Sequence, residues 1–350
     1  MRKSNTTRLI LNTIKTLQKV SVGDVVNNLP EKRSRQWVST LLNRLADNEK
    51  LYRAQVGKHV YYVLPENRKL LADKVVKKLV NKSLQEDQVL DEFKSKAIFL
   101  KNLKENVDSI LYYAFTEMLN NAIEHSRSKS IQVSFEELNN TITFEVLDKG
   151  IGVYNSIMQK KKLNSALESI QELLKGKITT LPHSHTGEGI FFTSKVADIF
   201  VLDSFEYRLR VDNKINDVFI EKIDKYTGTR VGFELDKNST KHLNNIFMDY
   251  QSKPGSYSFD KTRVYIKLFT AGTVYISRSQ ARRLTANLDK FKVIILDFKG
   301  IKTIGQAFAD EIFRVFALKY PNIKIEIINT NEAVMFMIKR VKKLLIVTSF

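Results

Sequence analysis

The chain has 350 residues, 43% of them hydrophobic, with only five prolines and 13 glycines, which indicates a folded, soluble protein of two or three domains. It contains no run of eighteen apolar residues, and Met1-Arg2-Lys3-Ser4-Asn5 is not followed by an apolar stretch. Neither a membrane span nor a signal peptide is therefore expected, and the cytoplasm is the expected location. The absence of cysteine excludes disulfides, thiol catalysis and thiolate-bound zinc, and five scattered histidines argue against a structural metal site. A net charge of +19 favours an anionic partner without choosing among DNA, RNA, nucleotide and membrane headgroups.

Residues 1–65 read as three helices and a hairpin. Leu9, Ile10, Ile14 and Leu17 mark the first apolar face; Ser21 caps a short second helix ahead of Asp24. The third helix runs from about Ser34 to Asn48 and is expected to bury Trp37, Val38, Leu41, Leu42 and Leu45. The β-rich runs 51–56 and 59–64 flank Gly57-Lys58. This is the order of a winged helix-turn-helix domain. Residues 1–68 carry thirteen Lys/Arg against five Asp/Glu. Lys32, Arg33 and Arg35 stand at the start of the third helix, the end that enters a major groove in such folds, with Arg44 nearer its far end. Arg53 and Lys58 stand on the hairpin within reach of phosphate or minor groove. Duplex DNA is the expected partner; a winged helix used only for dimerisation or as an adaptor is the alternative.

Residues 66–104 are charged, with Leu70, Leu71, Val75, Val76, Leu79 and Val80 on one stripe, and read as connecting helices; the expected homodimer would use either these helices or the C-terminal domain. A helix over Val107–His125 follows, then alternating strands at 130–136 and 141–147 joined through Asn139-Asn140. A helix begins at Gly189, and further strands are expected at 199–204, 208–212, 217–221 and 229–235.

Three motifs in residues 105–236 carry chemistry. Glu117 and Asn121 are four apart on a helix and so point the same way; a carboxylate there can polarise a water, and an amide oxygen can ligate Mg²⁺. Asp148-Lys149-Gly150-Ile151-Gly152 sets an acid beside a glycine turn. Thr186-Gly187-Glu188-Gly189 is a phosphate-sized loop opening a helix. In this order and spacing they resemble the GHKL or Bergerat nucleotide-binding domain of sensor histidine kinases, anti-sigma-factor serine kinases and gyrase. That resemblance implies an α/β sandwich, helices on one side of a mixed, mostly antiparallel sheet, that binds ATP and Mg²⁺. It implies that Glu117 is the general base, that Asn121 holds Mg²⁺, and that His125 lies near the phosphates. Asp148 would accept the adenine amino group beside Gly150 and Gly152, Gly187 and Gly189 would cover the phosphates, and Thr229 would stand near the adenine-side aspartate. Residues 153–186 would be the ATP lid. His183 and His185 within it are weighed as a metal pair and rejected, because Mg²⁺ in this family uses an asparagine and the phosphates.

Residues 258–350 alternate strand and helix: a strand at 263–267, a helix capped by Ser277, an apolar central strand at 293–298, a helix at 304–319, a strand at 323–328 and a closing helix at 332–342. Ser277-Arg278-Ser279-Gln280-Ala281-Arg282-Arg283, Leu296-Asp297-Phe298 and Gly305-Gln306-Ala307-Phe308-Ala309-Asp310-Glu311 resemble a bacterial STAS-like domain. The expected architecture is thus multidomain α+β: winged helix-turn-helix, GHKL α/β sandwich ATPase domain and STAS-like α/β domain. Two functions compete. One is a homodimeric DNA-binding regulator switched by Mg-ATP binding or slow hydrolysis. The other is an anti-sigma-factor-like serine/threonine kinase acting on a STAS-type partner or on its own C-terminal domain. Thr303 occupies the acceptor position of the resembled phosphoproteins, but the Asp-Ser-Ser-Gly sequence found there is absent.

Overall fold

The computed structural model describes residues 2–56, 59–71, 73–177, 188–253, 255–256, 258–269 and 277–347. The candidate residues Lys58 and Gly187, and the pair His183 and His185, lie outside the described residues.

The N-terminal domain runs α1 (Arg2–Leu17), β1 (Lys19–Ser21), α2 (Val22–Asn28), α3 (Arg35–Asp47), β2 (Tyr52–Val56) and β3 (His59–Val63), with the strands ordered β1-β3-β2. This is a winged-helix domain. Ser21 and Asp24 form a reciprocal capping box at α2, and the Ser34 hydroxyl accepts from the Trp37 amide at the start of α3. Ile10, Ile14, Val38, Leu42 and Leu45 close the core, whereas Leu9 and Leu17 are exposed. Trp37 departs from the expectation of burial. It is 40% exposed, and the Arg33 guanidinium lies 5.2 Å from its ring centroid. Position 37 falls in the first turn of α3, at the margin of the buried stripe Val38, Leu41, Leu42 and Leu45.

The expected connecting helices at 66–104 are only partly helical. A short 3-10 segment at Pro65–Leu71 leads into β4 (Asp73–Val80), an edge strand that pairs antiparallel with the central sheet, and only then comes α4 (Glu86–Lys96). The strand buries Leu79 and half-buries Val75, while Val76 and Val80 project outward, 51% and 71% exposed. Apolar residues on both faces blur the two-residue alternation and leave an i, i+4 pattern that reads as helix.

The central domain continues with α5 (Glu105–His125), β5 (Ser130–Leu138), β6 (Thr141–Asp148), α6 (Val153–Lys161), α7 (Ala166–Lys175), α8 (Gly189–Val196), β7 (Ile199–Asp212) and β8 (Asp217–Asp236). Its five strands are ordered β4-β5-β6-β8-β7, and every ladder is antiparallel rather than mixed. Phe135, Phe144, Phe233 and Phe200 stand in register across four adjacent strands. Phe144 and Phe233 stack at 4.7 Å, and Phe115 of α5 meets Phe135 and Phe144 at 5.0 and 5.5 Å. That aromatic row fixes the rotation of α5. β7 and β8 are each continuous, where breaks were expected. A register shift at Phe205, whose φ is 53°, keeps the ladder running beyond Ser204.

After α9 (Leu243–Asp249) the C-terminal domain holds β9 (Lys261–Tyr265), α10 (Arg278–Thr285), β10 (Val293–Asp297), a helix over 306–319, β11 (Lys324–Ile328) and α13 (Glu332–Val347). The helix at 306–319 comprises α11 (Gln306–Asp310), a π-helical stretch Glu311–Phe316 and α12 (Ala317–Lys319). The sheet is parallel, β11-β10-β9, with β10 central as its apolar run predicts. No described helix is long and apolar enough to cross a membrane.

Candidate functional site

With Phe115, Met118, Leu119 and Ala122 turned into the core, Glu117 and Asn121 are left half-buried on the flank of α5. They line a cleft together with His125, Asp148, Gly152, Gly189 and Thr229, and its empty space, including the open mouth, is ≈ 1160 Å³. Seven of the residues expected from sequence thus meet at one place. Gly150 stands immediately beside them, and Gly187 lies outside the described residues.

Asp148 ends β6 and is 4% exposed. Its Oδ1 accepts from the Gly150 amide at 2.7 Å. Burial pushes its carboxyl above the ordinary aspartate value, against the opposing pull of the Gly150 amide and of the backbone and hydroxyl of Thr229. The turn is tightly built. The Ser126 carbonyl at the end of α5 accepts from the Ile151 amide at 2.9 Å, and a Cβ on Gly150 would lie 1.8 Å from that same oxygen. Glycine at 150 is therefore what lets α5 and β6 meet. Thr229 braces the other side, its Oγ1 accepting from the Val153 amide at 3.0 Å where α6 begins.

On the opposite wall α8 starts against Glu117. A Cβ on Gly189 would fall 2.0 Å from Glu117 Oε2, so glycine at this helix start leaves the carboxylate its present position. Burial, and then the negative charges of Glu117 and Glu188, raise the Tyr113 phenol one turn earlier on α5. Asn121 donates its amide NH₂ to the Glu117 carbonyl at 2.7 Å, which turns its oxygen, the ligating atom for a hard cation, away from the backbone. Among the described residues no group of three or more carboxylates or histidines could hold a metal on its own. One amide oxygen suits Mg²⁺ that keeps most of its shell as water and phosphate.

Two kinds of residue escaped the sequence. Gly228, with φ 85°, lies so close that a Cβ would meet the Asp148 carbonyl at 2.2 Å; the Gly228-Thr229 pair was its signal. Val146, Ile157, Leu173, Ile190, Phe191, Leu202 and Val231 make the apolar walls, and nothing distinguishes them in sequence from ordinary core residues.

In the N-terminal domain Lys32, Arg33, Arg35 and Arg53 are all exposed. Arg53 is held by Asn43 Oδ1 at 2.6 Å and by Asp47 at 3.3 Å, and Arg33 by Glu31 at 2.5 Å. All are surface contacts that an anion can displace at little cost.

The penicillinase repressor family matches residues 4–111, which takes in the winged helix, β4, α4 and the first turns of α5. A STAS-like domain of unknown function (DUF4325) matches residues 280–335, from α10 to the start of α13. No curated protein matches the chain. The cleft residues from Glu117 to Val231 fall between the two matched segments. The chain therefore joins a winged-helix, repressor-like domain at its N-terminal end to a STAS-like domain at its C-terminal end, on either side of the domain that holds the cleft.

Proposed function

We propose that the protein is a DNA-binding regulator whose central cleft takes Mg-ATP, and that nucleotide occupancy changes how its winged helices engage DNA. The observation that carries this reading is Asp148. A buried carboxylate, fixed by Gly150 and Thr229 in the cleft, suits the exocyclic amino group of adenine, which brings a donor to an acceptor already desolvated. Glu117 and Asn121 on the adjoining wall suit the phosphate end, Glu117 as the base for a water or hydroxyl and Asn121 as the protein's ligand to Mg²⁺. When bound, Mg²⁺ supplies neutralisation of the phosphates. His125 and Gly189 border the same end.

The family likeness of residues 4–111 supports DNA as the partner, with Lys32, Arg33, Arg35, Arg53 and Lys58 as contacts. Two half-sites require two heads, so a homodimer belongs to the reading. The kinase alternative finds one favourable feature: Thr303 is exposed, in the loop between β10 and the helix that follows.

Calorimetry with Mg-ATP tests the cleft. Wild type binds, Asp148→Ala loses roughly ten- to a hundredfold in affinity for the lost buried contact, and Glu117→Ala binds but does not turn over. Absence of heat with wild type ends the reading. A DNA titration with and without Mg-ATP, at one salt concentration, tests the coupling; linkage requires DNA to change ATP affinity by the same factor. A label transferred to Thr303 or to a partner's hydroxyl favours the kinase instead.

A further inference from the structure

The α7 wall of the cleft is fastened from behind by the C-terminal domain. Leu173 of α7 lines the cleft, and two residues later Lys175 leaves it, 2% exposed, and enters the C-terminal domain. The Lys175 ammonium pairs with Glu172 at 2.5 Å and donates to the carbonyls of Arg283 at 3.1 Å and Ala286 at 2.8 Å, at the last turn of α10. The amide of Asn287 donates to the other Glu172 oxygen at 2.7 Å. Two neighbouring bonds fasten the same helix: Thr262 of β9 donates to the Lys175 carbonyl at 2.7 Å, and Gln171 donates to the Leu268 carbonyl at 2.7 Å.

A buried ammonium needs every one of these acceptors, and burial lowers its proton affinity while Glu172 raises it. Helix carbonyls at a C-terminus carry partial negative charge, so the end of α10 is a natural seat for the cation. α10 is in turn tied to the helix at 306–319, through Arg282 to Glu311 at 2.8 Å and Arg278 to Asp310 at 3.2 Å. That helix belongs to the STAS-like segment.

We infer that Lys175 is a positioning residue through which the C-terminal domain sets the α7 wall of the cleft, so that engagement of the C-terminal domain regulates nucleotide affinity. The inference rests on the cleft's being the nucleotide site. It differs from general domain packing because the fastened helix presents Leu173 to the cleft on one side and Lys175 to α10 on the other.

The test uses the full chain and a fluorescent ADP analogue with Mg²⁺. Three proteins are compared: wild type, Lys175→Met, and Glu172→Leu/Lys175→Met, which leaves no unpaired buried charge if the single variant folds poorly. Both variants are expected to bind about tenfold more weakly than wild type, within the usual range of coupling between sites, with the loss in the dissociation rate. Hydrogen exchange supplies a readout that mere stability would not move. Saturating nucleotide should slow exchange of amides 282–287 in wild type, and should not do so in the double variant. Wild type that fails to bind removes the cleft reading and this inference with it. Wild type that binds, beside a folded double variant with unchanged affinity, dissociation rate and nucleotide-dependent protection, overturns this inference alone.

Discussion

The winged helix and the C-terminal domain flank the same central domain, yet their cores are built differently. The core under the winged helix draws on residues from Ile10 to Leu64. The core of the C-terminal domain takes in Phe191 and Phe192 from α8 of the central domain, whose rings lie tilted against Phe259 at 4.8 and 4.9 Å. Apolar area removed from water at a seam is the main source of cooperativity between domains. The N-terminal head is therefore expected to be its own folding unit, while the C-terminal seam is expected to couple the central and C-terminal domains. The proposed regulator draws on both seams: a head free to be repositioned, and a body that links the C-terminal domain to the cleft.

Phe259→Ala probes the merged seam most severely. Phe259 is 7% exposed and also meets Phe291 at 5.4 Å, so its loss should cost about 3–5 kcal/mol. In calorimetry the shared transition of the central and C-terminal domains should fall as one, with the N-terminal transition unmoved. If the C-terminal domain alone melts early, the seam is not cooperative and the comparison breaks.

Leu42→Ala is the counterpart in the head. Leu42 is fully buried at the centre of the small core, and truncation should cost roughly 2–5 kcal/mol. The N-terminal domain should melt separately while Mg-ATP affinity persists. A simultaneous fall of the larger transition would mean that the head is not its own unit.

A third substitution sharpens the seam's electrostatics. Lys195, at the end of α8, is 8% exposed and lies over the rings of Phe191 and Tyr265. Burial first, then the nearby Arg263, pushes its ammonium down to about 8. Between that value and the ordinary lysine range the unfolded chain binds more protons than the native one, so stability from this group rises with pH through that window. Below it the native state carries the full cost of a buried charge. Lys195→Met should therefore be more stable than wild type at pH 7, by about 1–3 kcal/mol, and the advantage should shrink by pH 10. Urea midpoints at the two pH values measure it; a constant difference would mean that Lys195 is not destabilised by its setting.

How far the sequence could be read follows from where the physics is local. Caps, turns and glycine motifs are local, and Ser21, Ser277 and the Asn139-Asn140 turn, whose φ values of 50° and 61° suit a tight hairpin, stand where they were expected. The motif residues around Asp148 stand out in sequence because each carries its own chemistry, and they fall together in one cleft. β4 was not, since an edge strand with Val76 and Val80 facing outward lacks the alternation that burial imposes. Nor were Lys175 and Phe191. A lysine ending an amphipathic helix reads as solvated, and only the approach of α10, more than a hundred residues away, makes it a buried tether.

The mildest substitutions compare the two units through matched caps. Ser34 caps α3 with its hydroxyl, and Ser277 caps α10 in a reciprocal box with Gln280. Replacing either by alanine should remove a similar amount of stability, about 1 kcal/mol. The melting temperatures should nevertheless respond unequally, because a fixed free energy is divided by the unfolding entropy of the whole cooperative unit. In a head of this size the loss amounts to roughly 4–8 °C; in a unit several times larger it is roughly 2 °C or less. Ser34→Ala should also weaken DNA binding modestly, by loosening the turn that carries Arg33 and Arg35, while leaving Mg-ATP affinity unchanged. Ser277→Ala should do the reverse if strain at α10 is felt through Lys175. Scanning calorimetry of the two variants measures the ratio of the shifts directly. Equal shifts would mean that the C-terminal domain unfolds as a small unit of its own, and α10 would then have no means of holding the cleft wall.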